Sequence, residues 1–364
     1  MKHFAQSVLC LVAALISLPA FGQVATVYIT NEEATFIYEA SSSGNLTLTH
    51  GYVAEGDLWI TGTKSYIFGA SPNGHSNLDS FKVNPNGSLS LVASRNVLQD
   101  TQTDDVLSLF LDRTGATLYA SVAVYSPSTF YFASYSIDKK NGELTYLGKV
   151  QSETNATTLS FTGDNKYAYA GLFTNGPPAV LGFERKSNGL LVMGKEGAVP
   201  KAKPGLRFSV SGGLADPTDH VAFVAYPFND SGKLDGTSQL ATYTVSSTGE
   251  LSTKSTYENM PAPGVGGVTG FSMSPSGKLL AVGGYSGLRI YHFNGSNPIT
   301  KFSGSLGTGF FYDFAWDNDN HMYTFNQNTE HVHVFSATPS EVKEVPGSPF
   351  TIPDGAMSIL VIPK

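Results

Sequence analysis

One phrase recurs through the chain and limits what it can fold into. It is a short loop closed by Gly, Asn, Asp or Pro, followed at once by an alternating apolar run ending in small residues. Ser274-Pro-Ser-Gly-Lys-Leu-Leu-Ala-Val282 shows it most clearly, and relatives begin at Leu111, Thr162, Ala215 and Trp316. Each reads as strand, turn, strand. A second phrase follows at a few tens of residues: a Gly-x-Leu turn between two short strands, at Gly44-Asn-Leu46, Gly87-Ser-Leu89, Gly142-Glu-Leu144, Gly189-Leu-Leu191 and Gly249-Glu-Leu251, with altered versions near Asn294 and Thr338. Two alternating hairpin phrases per unit imply four antiparallel strands per unit.

The stretch from Gln23 to Lys364 divides into seven units of about 49 residues, the size of a four-stranded propeller blade. The composition agrees: 14% charged residues, 12% aromatic residues and 38 glycines favour short strands and tight turns over solvated helices. The chain ends on Met357-Ser-Ile-Leu-Val-Ile-Pro363, an innermost-strand pattern, and starts its first blade on Ala25-Thr-Val-Tyr-Ile29, a second-strand pattern. The sequence therefore predicts an all-β, seven-bladed β-propeller of four-stranded antiparallel blades, closed by pairing of its N- and C-terminal strands. Pairing the ends removes open sheet edges.

Residues 1–22 read as a signal peptide: Met1-Lys2-His3, an apolar run from Val8 to Leu18, then small residues to an expected cleavage after Gly22. Residues 23–364 then form one propeller domain, secreted or periplasmic and without membrane insertion after cleavage. The one cysteine, Cys10, lies in the apolar run. The exported chain is expected to lack disulfides, thiolate chemistry and cysteine metal sites. A formal net charge of −7 and the lack of a basic cluster exclude a nucleic-acid partner.

The innermost strands are expected over Val106–Leu111, Gly270–Met273 and Phe314–Trp316, with the loops before them opening on one face. Residues entering those strands are the ones to read for chemistry. Asp104, Asp313, Tyr312 and Arg207 are candidate catalytic groups, and Asp57, Asp105, Glu153 and Thr269 candidate ligand-binding groups. Asp104 and Asp105 are adjacent on a strand, so they point to opposite faces, and any carboxylate pair must come from two blades. His331 and His333 share a strand face, without an identifiable third metal ligand. Asp317-Asn-Asp-Asn320 starts like a calcium loop but lacks the required Gly and terminal Glu. Gly264-Val-Gly-Gly-Val-Thr-Gly270 precedes a strand, so it reads as a crossing between blades and not a dinucleotide loop. No cofactor is indicated by a motif; a divalent cation would have to be held by carboxylates at the mouth. The sequons at Asn45, Asn86, Asn155, Asn229 and Asn294 fall largely where turns need Asn.

The turn-plus-strand phrase, an aromatic-rich strand such as Leu288-Arg-Ile-Tyr-His-Phe293 and the Gly-x-Leu hairpin together resemble the lactonase-type seven-bladed propellers that include 6-phosphogluconolactonase. The resemblance spans the mature chain. Members with lactonase activity commonly carry an Arg-His pair entering one innermost strand and a His-x-His segment entering another. Counted back from Gly277, Asn320 and Gly115, the equivalent positions here are Thr269 and Gly270, Tyr312 and Asp313, and Leu107 and Ser108. These side chains offer no cation to polarise a lactone carbonyl and no imidazole base. The first expectation is therefore a scaffold that binds a small molecule, a glycan or an extracytoplasmic protein. The alternative is a lactone hydrolase with a relocated site.

Overall fold

A computed structural model describes residues 22–31, 33–52, 59–70, 77–98, 104–125, 128–152, 158–171, 180–352 and 355–364. Of residues 1–22, expected from the sequence to be a signal peptide, all but Gly22 fall outside this set. Seven antiparallel sheets form; six keep their strands in chain order, and one begins with the C-terminal strand. Blade 1 joins Ser358–Pro363 to Gln23–Thr30, Thr35–Ser41 and Leu46–Tyr52. The first strands of blades 2 to 7 are Trp59–Gly62, Asp104–Leu111, Ser160–Phe161, Leu206–Ala215, Val268–Met273 and Phe311–Trp316. These first strands neighbour one another around the axis. The expected closure is present: Thr26 stands opposite Ile362 and Tyr28 opposite Leu360. Among the described residues no helix is long and apolar enough to cross a membrane.

The second strand of each blade is covered on both faces by neighbouring blades, which is why it reads as a continuous apolar run and not an alternating one. Leu279–Gly284 and His321–Asn326 are buried throughout. The turn before each second strand is held by its first residue. Asp112, Asp216 and Asp317 each accept backbone N–H groups on Oδ1, and Ser274 Oγ accepts from Leu279 N. The calcium-like Asp317–Asn320 segment is such a turn, with Asn320 at φ 62°. Asp317 Oδ2 is taken by His321 Nδ1 and the Tyr323 hydroxyl, both at 2.8 Å.

Neighbouring blades meet through one repeated contact. The hairpin turn between the third and fourth strands of a blade docks on the second strand of the blade before it. Tyr28, Tyr119 and Tyr169 donate to the carbonyls of Gly87, Gly189 and Gly249 at 2.9, 2.7 and 2.8 Å, and Tyr66 donates to Lys140 O at 2.7 Å. A side chain at Gly142 would lie 2.3 Å from the Tyr66 ring, and the residue sits at φ 77°. Glycine is required there twice over. The Gly264–Gly270 stretch is, as expected, the crossing from blade 5 into the first strand of blade 6. Blade 7 adds a strand the repeat does not announce, Phe350–Thr351, paired to His331–Ala337.

Removing the hydroxyl in Tyr119→Phe leaves a buried carbonyl unpaired. We expect a loss of about 1–2 kcal/mol in urea unfolding, and a larger loss for Gly142→Ala; equal stability of both variants with the parent would contradict the docking role.

Candidate functional site

The first strands do not run smoothly along the axis. Their pairing with the second strands slips between Val106 and Ser108, Ser211 and Leu214, Val268 and Gly270, and Phe311 and Phe314. The skipped residues fall three to five positions before the turn residue of their blade, so the bulges share one level. The skipped residues are Leu107, Gly212, Gly213, Thr269, Tyr312 and Asp313. All but Gly213 line an axial cavity of about 530 Å³. Bulges re-aim side chains in this way next to sites.

Every blade contributes to the wall: Ser358 and Ile359, Trp59 and Ile60, Leu107 to Phe110, Thr158, Ser211 with Gly212 and Tyr226, Val268 to Phe271, and Tyr312 to Phe314. All six positions counted from the turns against the lactonase pattern lie in this wall. Among the described lining residues none is Lys, Arg or His, and Asp313 is the one carboxylate.

Asp313 Oδ2 accepts the N–H of Ile359 at 2.8 Å, from the C-terminal strand, and Oδ1 accepts that of Phe314 at 2.9 Å. Burial pushes its carboxyl up to about 6, while these N–H groups and the Ser358 hydroxyl pull the other way. Tyr312 donates to Ala356 O at 2.6 Å, and burial beside Asp313 raises its phenol far above the ordinary value. Thr269 Oγ1 donates to Phe311 O at 2.6 Å. On the mouth side an aromatic file runs from exposed Tyr285 to Phe310 at 5.0 Å and on to Tyr312 at 5.5 Å.

The other sequence candidates lie elsewhere. Asp104 is fully buried at the start of its strand and Arg207 pairs with Phe228; neither lines the cavity. Arg207 stands four residues before Ser211, about 13 Å along an extended strand. Asp105 is half-buried and accepts the Tyr125 hydroxyl, so the two adjacent acids do face apart. Asp57 and Glu153 lie outside the described residues. Tyr312 and Asp313 are brought together; Asp104 and Arg207 are not brought to them. His331 and His333 share a strand, but His333 Nδ1 meets Glu344 Oε1 at 2.7 Å and His331 meets the Thr329 carbonyl. Among the described residues no group of three His, Cys, Asp or Glu side chains is placed to hold a metal. Trp59, Thr158 and Ser211 were missed, although the same count back from Thr63, Thr162 and Asp216 finds them.

Similarity to solved structures spans the described propeller. A protein from Lactobacillus plantarum matches at TM-score 0.71 and 13% identity, over 94% of this chain and 100% of that chain. A periplasmic gluconolactonase of Pseudomonas aeruginosa matches at TM-score 0.65 and 15% identity, over 93% and 99%. A protein assigned as a 6-phosphogluconolactonase from Bacteroides fragilis matches at TM-score 0.64 and 13% identity, over 95% and 99%. No family model and no curated protein matches the sequence. At the level of the fold, the chain is a seven-bladed propeller similar to these structures.

The raised Asp313 carboxyl has a measurable sign. Between its ordinary 3.8 and about 6 the folded chain keeps a proton that the unfolded chain has released. Its contribution therefore falls as pH rises through that window and stays lost above it. The stability of the parent minus that of Asp313→Asn, followed by urea unfolding from pH 4 to pH 7, should decline across the window; a flat difference would place Asp313 in solvent.

Proposed function

We propose that this chain is an exported propeller that binds a small, uncharged, ring-containing molecule in its axial cavity. The observation that carries this reading is the cavity wall: about 530 Å³ lined by Trp59, Phe110, Phe271, Tyr312 and Phe314, with a few hydroxyls and, among the described residues, no cationic side chain. Such a mixture of apolar surface and sparse polar groups suits a neutral organic ligand. A phosphorylated or carboxylated molecule would find no counter-charge among the described lining residues and would meet Asp313. Export is supported by the leader-like residues 1–22. The chosen occupant is a small molecule; a glycan or protein partner would have to use the outer faces.

One observation favours lactone hydrolysis as a second reading. Asp313 is a cavity-lining carboxylate whose pKa is pushed up to about 6 by burial, so at neutral pH it is mostly ionised and more basic than an ordinary carboxylate toward an attacking water. Both of its oxygens already accept backbone N–H groups, which gives it a structural task, and the neighbouring Tyr312 hydroxyl is bonded to Ala356 O.

The test is a thermal-shift screen of neutral ring compounds with the purified chain, run beside hydrolysis assays on sugar and acyl lactones with divalent metals added or chelated. Saturable stabilisation is expected, lost in Ser108→Phe, which fills the cavity; lactone turnover is expected to equal buffer. Turnover that disappears in a folded Asp313→Asn variant would establish the hydrolase instead.

A further inference from the structure

Among the described residues Tyr285 is the most exposed large apolar side chain, at 65%, yet its position is fixed. It stands at the tip of the two-residue hairpin between Leu279–Gly284 and Gly287–His292, whose closing pair is Gly284 and Gly287. Two glycines wedge this hairpin in place. A side chain at Gly284 would lie 2.0 Å from the Gly267 carbonyl oxygen, and one at Gly283 would lie 2.3 Å from the Phe314 ring. The Tyr285 ring has one edge along Gly267, 3.3 Å from where a Cβ would stand, and stacks on Phe310 with centroids 5.0 Å apart and planes at 30°.

Phe310 is braced in turn. Its N–H donates to Asn328 Oδ1 at 2.8 Å, and its carbonyl accepts the N–H of Gln327 at 3.0 Å. Just before it, Thr308 O accepts from the buried Asn326 amide at 2.9 Å. From Phe310 the file of rings passes to Tyr312, which lines the cavity and meets Phe325 edge to face at 4.6 Å. Tyr285 also adjoins Tyr226, another lining residue: burial pushes the Tyr226 phenol up to about 12, and Tyr285 adds to the rise. The exposed ring is therefore continuous with the cavity wall.

A side chain that is free in solvent loses rotamer freedom when a ligand docks on it, and that loss offsets part of the contact. Tyr285 has already given up this freedom to Phe310 and Gly267, so a ring laid on its open face keeps more of the stacking gain.

We infer that Tyr285 and Phe310 form an outer stacking platform for the ligand of the axial cavity, and that this ligand is an elongated neutral compound with two planar rings. One ring lies inside against Tyr312 and Phe314, and the other lies on Tyr285 at the mouth. The inference rests on the small-molecule reading above and adds the ligand's length to it. Tyr285 determines specificity for the outer ring, whereas a ligand with one ring fills the cavity without touching it.

The test uses a one-ring and a two-ring probe, benzyl alcohol and 4-phenylbenzyl alcohol, with affinities measured by ligand-observed NMR on the full chain. Tyr285→Ala should weaken 4-phenylbenzyl alcohol about fivefold and leave benzyl alcohol unchanged. Tyr285→Phe keeps the ring and should restore the parent's affinity for the two-ring probe. Because Tyr285 is exposed, both variants should unfold at about the parent's urea concentration. Ser108→Phe should weaken both probes. Benzyl alcohol binding that is lost in Ser108→Phe, with a two-ring probe indifferent to Tyr285→Ala or weakened by it no more than benzyl alcohol, would overturn the platform and keep the cavity. A two-ring probe that depends on Tyr285 and is untouched by Ser108→Phe would overturn the span from mouth to cavity. Binding of neither probe would overturn the platform and the cavity reading together.

Discussion

The contact on which the structure depends is the docking of each hairpin turn on the second strand of the preceding blade. A single four-stranded blade buries one strand at most and cannot stand alone. Stacking blades covers both faces of every second strand, and the Tyr28, Tyr66, Tyr119 and Tyr169 hydroxyls fix the distance and angle at which they stack. The glycines at those turns let the backbones approach; Gly249 leaves no room for a side chain against Tyr167, at 2.4 Å. Histidines take this place at two interfaces. A side chain at Gly44 would press on His321, which Asp317 holds, and one at Gly295 would press on His220, which Asp216 holds.

Fixing the stacking angle also fixes the axis. Seven first strands arranged around one line cannot fill it with backbone, and the space left is the cavity. Bulges in four of those strands turn Leu107, Gly212, Thr269, Tyr312 and Asp313 toward it. The same residues tie the ring shut. Thr269 spans blades 6 and 7, and Asp313 spans blade 7 and the strand that closes blade 1. Across the ring, the Arg113 guanidinium reaches from blade 3 to the carbonyls of Phe161 at 2.9 Å and Ala215 at 2.7 Å. Site and closure are one construction on the blade 6 to blade 1 side.

Much of this was legible in the sequence because turns carry local chemistry. The Gly-x-Leu hairpins and the capped turns before the second strands marked the blades, and the apolar terminal strands marked the closure. Counting back from the turns put Thr269, Tyr312 and Asp313 in the wall, since a strand has a fixed rise per residue. What did not show was anything set between blades. The burial of Asp104, the separation of Arg207 from the cavity and the extra pairing of Phe350–Thr351 depend on which neighbour covers a residue, and that is not written in a local pattern. Bulges are silent for the same reason: an added residue shifts the pairing without altering the composition of the strand.

The central claim is that the axial cavity is where this propeller meets its ligand. A crystal structure of the chain grown with the neutral compound that stabilises it most in a thermal screen tests this directly. The account predicts density for that compound between Ser211 and Tyr312, with its ring against Phe314. A compound bound only on the outer faces of the blades, with the cavity holding water alone, would contradict it.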